Sequence, residues 1–177
     1  DDVMLTGFSK EKRLQLLLKT MKENKIDHAL VLADIPAHPK EKMLSNEELL
    51  KLIEQHKQLH LVGKIPLVAC QNAAYLTQIR KHIEVGNIVG IKLYPGYEQF
   101  YPYDKRCTNV YNVCEEFDIP LMFHSGDVMY KGNLRYAQPL HVDEVASAYP
   151  NLKIIICHMG NPWILDTAAV TSKNENV

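Results

Sequence analysis

The 177-residue sequence predicts an α/β fold in which parallel strands alternate with helices. Apolar, strand-like runs begin near residues 26, 61, 88, 119 and 152, a recurrence of roughly thirty residues that matches one βα unit. The runs 119–123 and 152–157 are apolar almost throughout, as in strands covered on both faces, and helical sequence lies between them. No repeat, low-complexity tract or linker interrupts the series, so residues 1–177 read as one domain. Such a rhythm permits an open doubly wound sheet or a closed barrel. No glycine-rich phosphate or dinucleotide fingerprint follows any run, which favours the barrel.

Taken in order, Ser9 caps a first helix with Leu14, Leu17, Leu18 and Met21 on one face, and Asn24 stops it. Residues 26–33 form a strand and 34–39 the loop that leaves it. Ser45 and Glu48 make a capping box, with Leu44 and Leu49 placed as a hydrophobic staple, and Leu49, Leu52 and Ile53 face inward. Residues 61–69 are the next strand. Asn72 caps a helix that turns Leu76, Ile79 and Ile83 inward and ends near Gly86. Residues 88–93 are a strand, and Cys107, Val110, Tyr111 and Cys114 mark one helix face. Residues 139–149 are helical, and Pro162 suits the first turn of the last helix.

Composition excludes several functions. A net charge of -1 with no basic run gives nucleic acid and anionic membranes nothing to bind. No apolar stretch approaches the roughly 18 residues of a membrane span, and no signal-peptide pattern opens the chain, so a cytoplasmic protein is expected. Cys70, Cys107, Cys114 and Cys157 show no C-x-x-C spacing and read as buried free thiols. The chain starts at Asp1 without methionine and stops at Val177 where a strand would open, so both ends read as cut.

The chemistry gathers where two strands end. Residues 119–123 run into His124-Ser125-Gly126, and residues 152–157 into His158-Met159-Gly160. Two imidazoles on adjacent C-terminal strand ends can converge on one point, a geometry that suits a metal ion and the water it activates. Lys92 sits inside an apolar run and needs a partner, either in a buried ion pair or in a role towards metal or substrate. Tyr94, Tyr97, Phe100, Tyr101 and Tyr103 crowd the loop after it, as a pocket wall or as a packed lid. The long loop 125–138 adds Asp127, Lys131, Arg135 and Tyr136. His28 reads as structural, His38 as a loop residue on the ligand side that is more often solvent-exposed than in contact with a ligand, and His141 as a surface residue. His56 and His60, spaced i, i+4, lack the glutamate of an H-E-x-x-H site and read as an exposed helix end.

From Gly90 onward the sequence resembles the amidohydrolase-related family of metal-dependent TIM-barrel hydrolases, in its aminocarboxymuconate-semialdehyde decarboxylase-like branch. Residues 149–160, with Pro162, Trp163 and Asp166, look like the family's sixth strand, residues 119–126 like its fifth, and Gly90-Ile91-Lys92-Leu93 like its fourth. The resemblance implies a partial TIM (β/α)8 barrel holding strands two to six. It implies that His124 is a metal ligand and His158 a second ligand or the residue that positions the attacking water. In some branches the fourth-strand lysine is carboxylated and bridges two metals, whereas the decarboxylase-like branch holds one metal without it. The family's first-strand His-x-His is absent between Asp1 and Val177, so the domain is expected to be incomplete at both ends.

These readings lead to a metal-dependent hydrolase, with zinc as the expected ion, acting through metal-activated water on a small carboxylated or lactone-like substrate. His158 and Lys92 are its catalytic candidates, His124 and His158 its metal ligands, and Tyr94, Arg135 and Asp127 its substrate-binding residues. A non-oxidative decarboxylase on the same scaffold, a Schiff-base lyase using Lys92 and a catalytically inert barrel fragment are the alternatives. The expected partners are a small-molecule substrate and other copies of the chain, since an incomplete barrel leaves strand edges unpaired.

Overall fold

The computed structural model describes residues 8–33, 44–129 and 132–177. His38 and Lys131 lie outside the described residues. The chain divides into two compact units, Asp1–Lys64 and Ile65–Val177.

The first unit holds α1 (Lys10–Glu23), β1 (Ala29–Leu32), α2 (Asn46–Ile53) and β2 (Leu59–Lys64). Ser9 caps α1 by accepting the Lys12 N–H at 3.2 Å, and Asn24 ends it. The α2 capping box is formed in both directions: Ser45 Oγ takes the Glu48 N–H at 3.1 Å and Glu48 Oε2 takes the Ser45 N–H at 2.8 Å. Strands β1 and β2 pair in parallel, from Ala29 beside Leu59 to Leu32 beside Val62. The buried Asn46 amide then does what a neighbouring strand would do: Nδ2 donates to the Lys64 carbonyl and Oδ1 accepts the Lys64 N–H, both at 2.9 Å.

Two expectations change at the ends of β2. β2 already begins at Leu59, so His60 is a strand residue and not a helix end. It also stops at Lys64, and Leu67–Ala69 is a 3₁₀ turn entered through Pro66. Proline has no N–H to give to a ladder and its fixed φ suits the entry to a turn.

The second unit holds α3 (Ala73–Glu84), β3 (Ile88–Leu93), α4 (Thr108–Glu116), β4 (Leu121–Phe123), α5 (Leu140–Ala148), β5 (Ile154–Ile156) and α6 (Ile164–Lys173). Asn72 caps α3 by accepting the Tyr75 N–H at 3.1 Å. Strands β3, β4 and β5 pair in parallel and in chain order, each joined to the next through a helix, with no reversal at which a doubly wound sheet would open its crevice. Ile91, Leu93, Leu121 and Phe123 are fully buried. At about 1.5–3 kcal/mol each, such side chains supply a large share of what holds the sheet together.

The register explains why one face of this sheet carries chemistry. Its last rung aligns Leu93, Phe123 and Ile156, and the rung before aligns Lys92, Met122 and Ile155. Successive strand residues point to opposite faces. Lys92, Tyr94, His124 and Cys157 therefore share the face opposite Leu93 and Phe123. Three further details depart from the sequence reading. β4 and β5 have three residues each, because Pro120 and Lys153 contribute only carbonyls to the ladder, to Ile91 and Leu121 respectively. His158 does not end β5 directly but lies in the 3₁₀ turn Cys157–Gly160, and Pro162 precedes α6.

Removing the Asn46 amide takes these partners from the half-buried N–H and carbonyl of Lys64. Asn46→Ala is expected to cost about 2 kcal/mol, against about 1 kcal/mol for the exposed cap in Ser45→Ala; urea denaturation of the two variants checks the ranking.

Candidate functional site

The site lies wholly within the second unit. His124 follows β4 directly and is buried, at 5% exposure. Its own N–H extends the ladder by donating to the Leu93 carbonyl at 2.9 Å, so the backbone that carries the ring is held by the sheet. Around the ring stand Tyr97, edge-on at 4.7 Å, Tyr94 at 6.3 Å, and the His158 ring at 5.0 Å between centroids.

One nitrogen of His124 is committed. Nε2 lies 2.9 Å from the Asp127 carbonyl oxygen, which can only accept, so Nε2 carries the proton. The lone pair of the neutral ring is then on Nδ1. Burial and the nearby charge of Lys92 push the His124 pKa down to about 4, with a smaller contribution from His158, while the Asp127 carbonyl acts in the opposite direction. A neutral imidazole with one N–H fixed by a carbonyl is the form in which histidine binds a metal ion.

Lys92 is buried but has no carboxylate partner among the described residues. Its Nζ donates to Cys157 Sγ at 2.6 Å and lies 5.2 Å from the centre of the Tyr94 ring. The buried ion pair is thus replaced by a sulfur acceptor and an aromatic face. Cys157 departs from the expected buried thiol: it is half-buried and engaged with Lys92, whereas Cys70, Cys107 and Cys114 are buried free thiols.

His158 is exposed and has φ 56° and ψ 18°, followed by Met159 at φ 52° and ψ 23°. Two consecutive left-handed residues with side chains cost about 1–2 kcal/mol each. The buried Thr167 on α6 offsets part of this cost by donating its hydroxyl to the Met159 carbonyl at 2.9 Å, and the Trp163 N–H closes the turn onto the Gly160 carbonyl at 2.8 Å. Gly160 continues the turn at φ 63°, where a Cβ would strike the Thr167 hydroxyl and Pro139.

Gly126 ties the two histidine segments together. At φ 86°, a Cβ there would collide with the Asn161 carbonyl oxygen and come within 2.7 Å of Gly160 C and Asn161 N. The chain after β4 thus passes directly over the chain after His158. Ala137 closes the base of the intervening loop, its carbonyl accepting the Gly126 N–H at 2.7 Å and the Ser125 hydroxyl at 2.9 Å.

The remaining predicted residues divide. Tyr94 is buried between Lys92 and His124, a wall of the site. Asp127 contributes its carbonyl to His124, and the residue is exposed. Arg135 is drawn into a different cluster, where its guanidinium donates to the Tyr136 hydroxyl at 2.5 Å and its carbonyl accepts from His141 Nε2 at 2.8 Å. His141 lies 4.8 Å from Tyr101 and 5.8 Å from Tyr103, whose rings stack at 5.1 Å. The aromatic loop thus splits: Tyr94 and Tyr97 face His124, while Tyr101 and Tyr103 join Arg135, Tyr136 and His141.

Ser125, Thr167 and the sulfur of Cys157 are positioning groups that the sequence reading passed over. The glycines two residues after each histidine signalled the tight turns. Nothing in the sequence marked Thr167, whose partner lies eight residues away across a non-helical turn.

For a divalent ion, His124 and His158 fit as two donors of a set. No group of three or more His, Cys, Asp and Glu among the described residues could hold a metal ion, so further ligands must come from water, substrate or other protein groups.

The fold is that of a partial TIM barrel whose histidine pair follows C-terminal strand ends. An uncharacterised TIM-barrel protein from Bordetella bronchiseptica superposes with a TM-score of 0.77 at 23% identity, covering 99% of this chain and 63% of that one. A family model described as amidohydrolase matches residues 31–176, and the chain belongs to that family. The 5-carboxyvanillate decarboxylase of Novosphingobium aromaticivorans, solved with manganese and a nitrobenzoic acid, aligns with a TM-score of 0.66 at 14% identity over 89% of this chain and 53% of its own. A probable 2-pyrone-4,6-dicarboxylic acid hydrolase from Acinetobacter baumannii, with citric acid bound, aligns with a TM-score of 0.59 at 14% identity over 88% and 55%. The chain therefore spans less than two thirds of each of these structures. No curated protein matches it.

Two outcomes follow from the geometry. Gly126→Ala is expected to lose at least about 2 kcal/mol of stability and to perturb the His124 and His158 ring resonances together; denaturation and NMR check both effects. For His124, the unfolded imidazole titrates near 6.5 and the folded one near 4. The unfolded chain binds the proton more readily between those values, so metal-free protein loses stability as pH falls from about 6.5 towards 4, and no more from this group below that. His124→Gln should flatten that part of the profile in urea titrations.

Proposed function

We propose that this chain supplies the paired-histidine part of a metal-dependent hydrolase that acts on a small carboxylated or lactone-like substrate, with zinc as the ion. The observation that carries the reading is His124, a buried neutral imidazole whose Nε2–H is held by the Asp127 carbonyl and whose other nitrogen is left as a donor. His124 is the residue that would hold the ion, with His158 beside it; the ion, when bound, supplies Lewis acidity and lowers the pKa of a coordinated water.

The chain's own groups do the rest. His158, exposed 5.0 Å from His124, orients the attacking water and takes its proton on an imidazole nitrogen. Lys92 presents its Nζ on the same face as His124, where it holds a substrate carboxylate or the negative charge that develops on a carbonyl oxygen. Tyr94 and Tyr97 exclude water from one side of His124. Arg135 adds a second carboxylate contact by exchanging the Tyr136 hydroxyl for substrate.

Non-oxidative decarboxylation is the second reading, and the burial of Lys92 favours it. A cation at 3% exposure, held by sulfur and an aromatic face, suits a substrate whose carboxylate must be drawn out of water. An inert fragment is the third, because only two histidine donors converge.

Metal analysis and turnover of the full-length protein test these readings. His124→Ala is expected to lose the ion, and His158→Ala to keep it while losing about 10² or more in rate. Release of carbon dioxide from carboxylated substrates separates decarboxylase from hydrolase. Wild-type metal content and rate in both variants would refute the assigned roles.

A further inference from the structure

His28 and His60 make a second histidine pair, in the first unit. His28 Nδ1 and His60 Nε2 are 3.0 Å apart, with ring centroids at 5.2 Å and planes inclined by 34°. The register explains the meeting. Leu30 lies beside His60, and His28, two residues earlier, falls on the same face as Leu30. Both backbones are fixed nearby, since His60 sits within β2 and the Ala29 N–H donates to the Gln58 carbonyl at 2.9 Å. His28 is exposed and His60 half-buried. The pair stands at the N-terminal ends of its strands in the first unit, and the proposed reaction, built from residues of the second unit, does not use it.

We propose that His28 and His60 form a surface site for a divalent transition-metal ion, with copper(II) and nickel(II) preferred over zinc. Between neutral rings a single proton joins the two nitrogens, one donating and the other accepting, and an ion can take that proton's place. Kept near its present value while the rings reorient, the separation favours one coordination geometry, and a pair of imidazole nitrogens favours copper(II) over zinc. Two nitrogens 3.0 Å apart, each 2.0–2.1 Å from a metal, subtend roughly 95° at it. That is close to a cis pair in square or octahedral coordination. A tetrahedral ion needs the nitrogens about 3.3 Å apart. The rings must tilt so that both lone pairs meet beside the line joining them, which the exposed His28 permits. Water fills the other positions, because no third metal-binding side chain joins the pair among the described residues.

The test uses the full chain with copper(II) or nickel(II) chloride alone. Titration calorimetry and retention on immobilised copper are compared for wild type, His28→Asn, His60→Asn and His60→Gln, with His56→Asn as the control for an ordinary nearby histidine. Circular dichroism confirms that each variant is folded. Each substitution in the pair is expected to lower copper affinity at least tenfold, and the control to leave it unchanged. The electron paramagnetic resonance spectrum should show two coupled nitrogens in wild type and fewer in the variants. Nickel should bind more tightly than zinc. Unchanged copper affinity in the pair variants, an equal loss in His56→Asn, or zinc binding above nickel overturns the proposal.

Discussion

The arrangement of the candidate site depends on one steric condition, the absence of a side chain at Gly126. Only there can the strand that delivers His124 lie against the turn that delivers His158, since any Cβ would occupy the space of the Asn161 backbone. Hydrogen bonding then makes the approach stable, with Ala137 gathering the Gly126 N–H and the Ser125 hydroxyl on one carbonyl. From the other side Thr167 holds the left-handed turn. Position in this site is therefore set by backbone, and the imidazoles inherit it. Such a design tolerates change in the outer loop residues far better than a single methyl group at its centre.

The electrostatic character of the site follows from the same packing. His124 is kept neutral because its ring is buried and because Lys92 shares its face of the sheet. Proximity of that kind is a cost if the two groups only coexist, since the cation works against protonation of the ring. It becomes useful when a negatively charged ligand lies between them, because both groups are then in the charge state the ligand needs.

Much of this was legible in the sequence, for identifiable reasons. Helix boundaries at Ser9, Ser45 and Asn72 were readable because capping is a local interaction between near neighbours. The parallel order of β3, β4 and β5 followed from the spacing of apolar runs. His124 and His158 could be paired because each ends such a run. What escaped was set by contacts distant in sequence. Lys92 and Cys157 are 65 residues apart, and nothing in either segment names the other. The end of β2 was placed too late because its apolar run continues past Pro66, where hydrophobicity and hydrogen-bonding capacity part company.

The cluster of Tyr101, Tyr103, Tyr136, His141 and Arg135 joins the segment after β3, the segment after β4 and the first turn of α5. Asn133 and Gly96 add a backbone link between the first two, as does the Tyr97 hydroxyl with the Met129 N–H. Loops fastened at several points in this way behave mechanically as a single plate. A ligand that displaces Tyr97 from the edge of His124 would load the Met129 contact as well, so the rim of the site is built to yield as one piece or not at all.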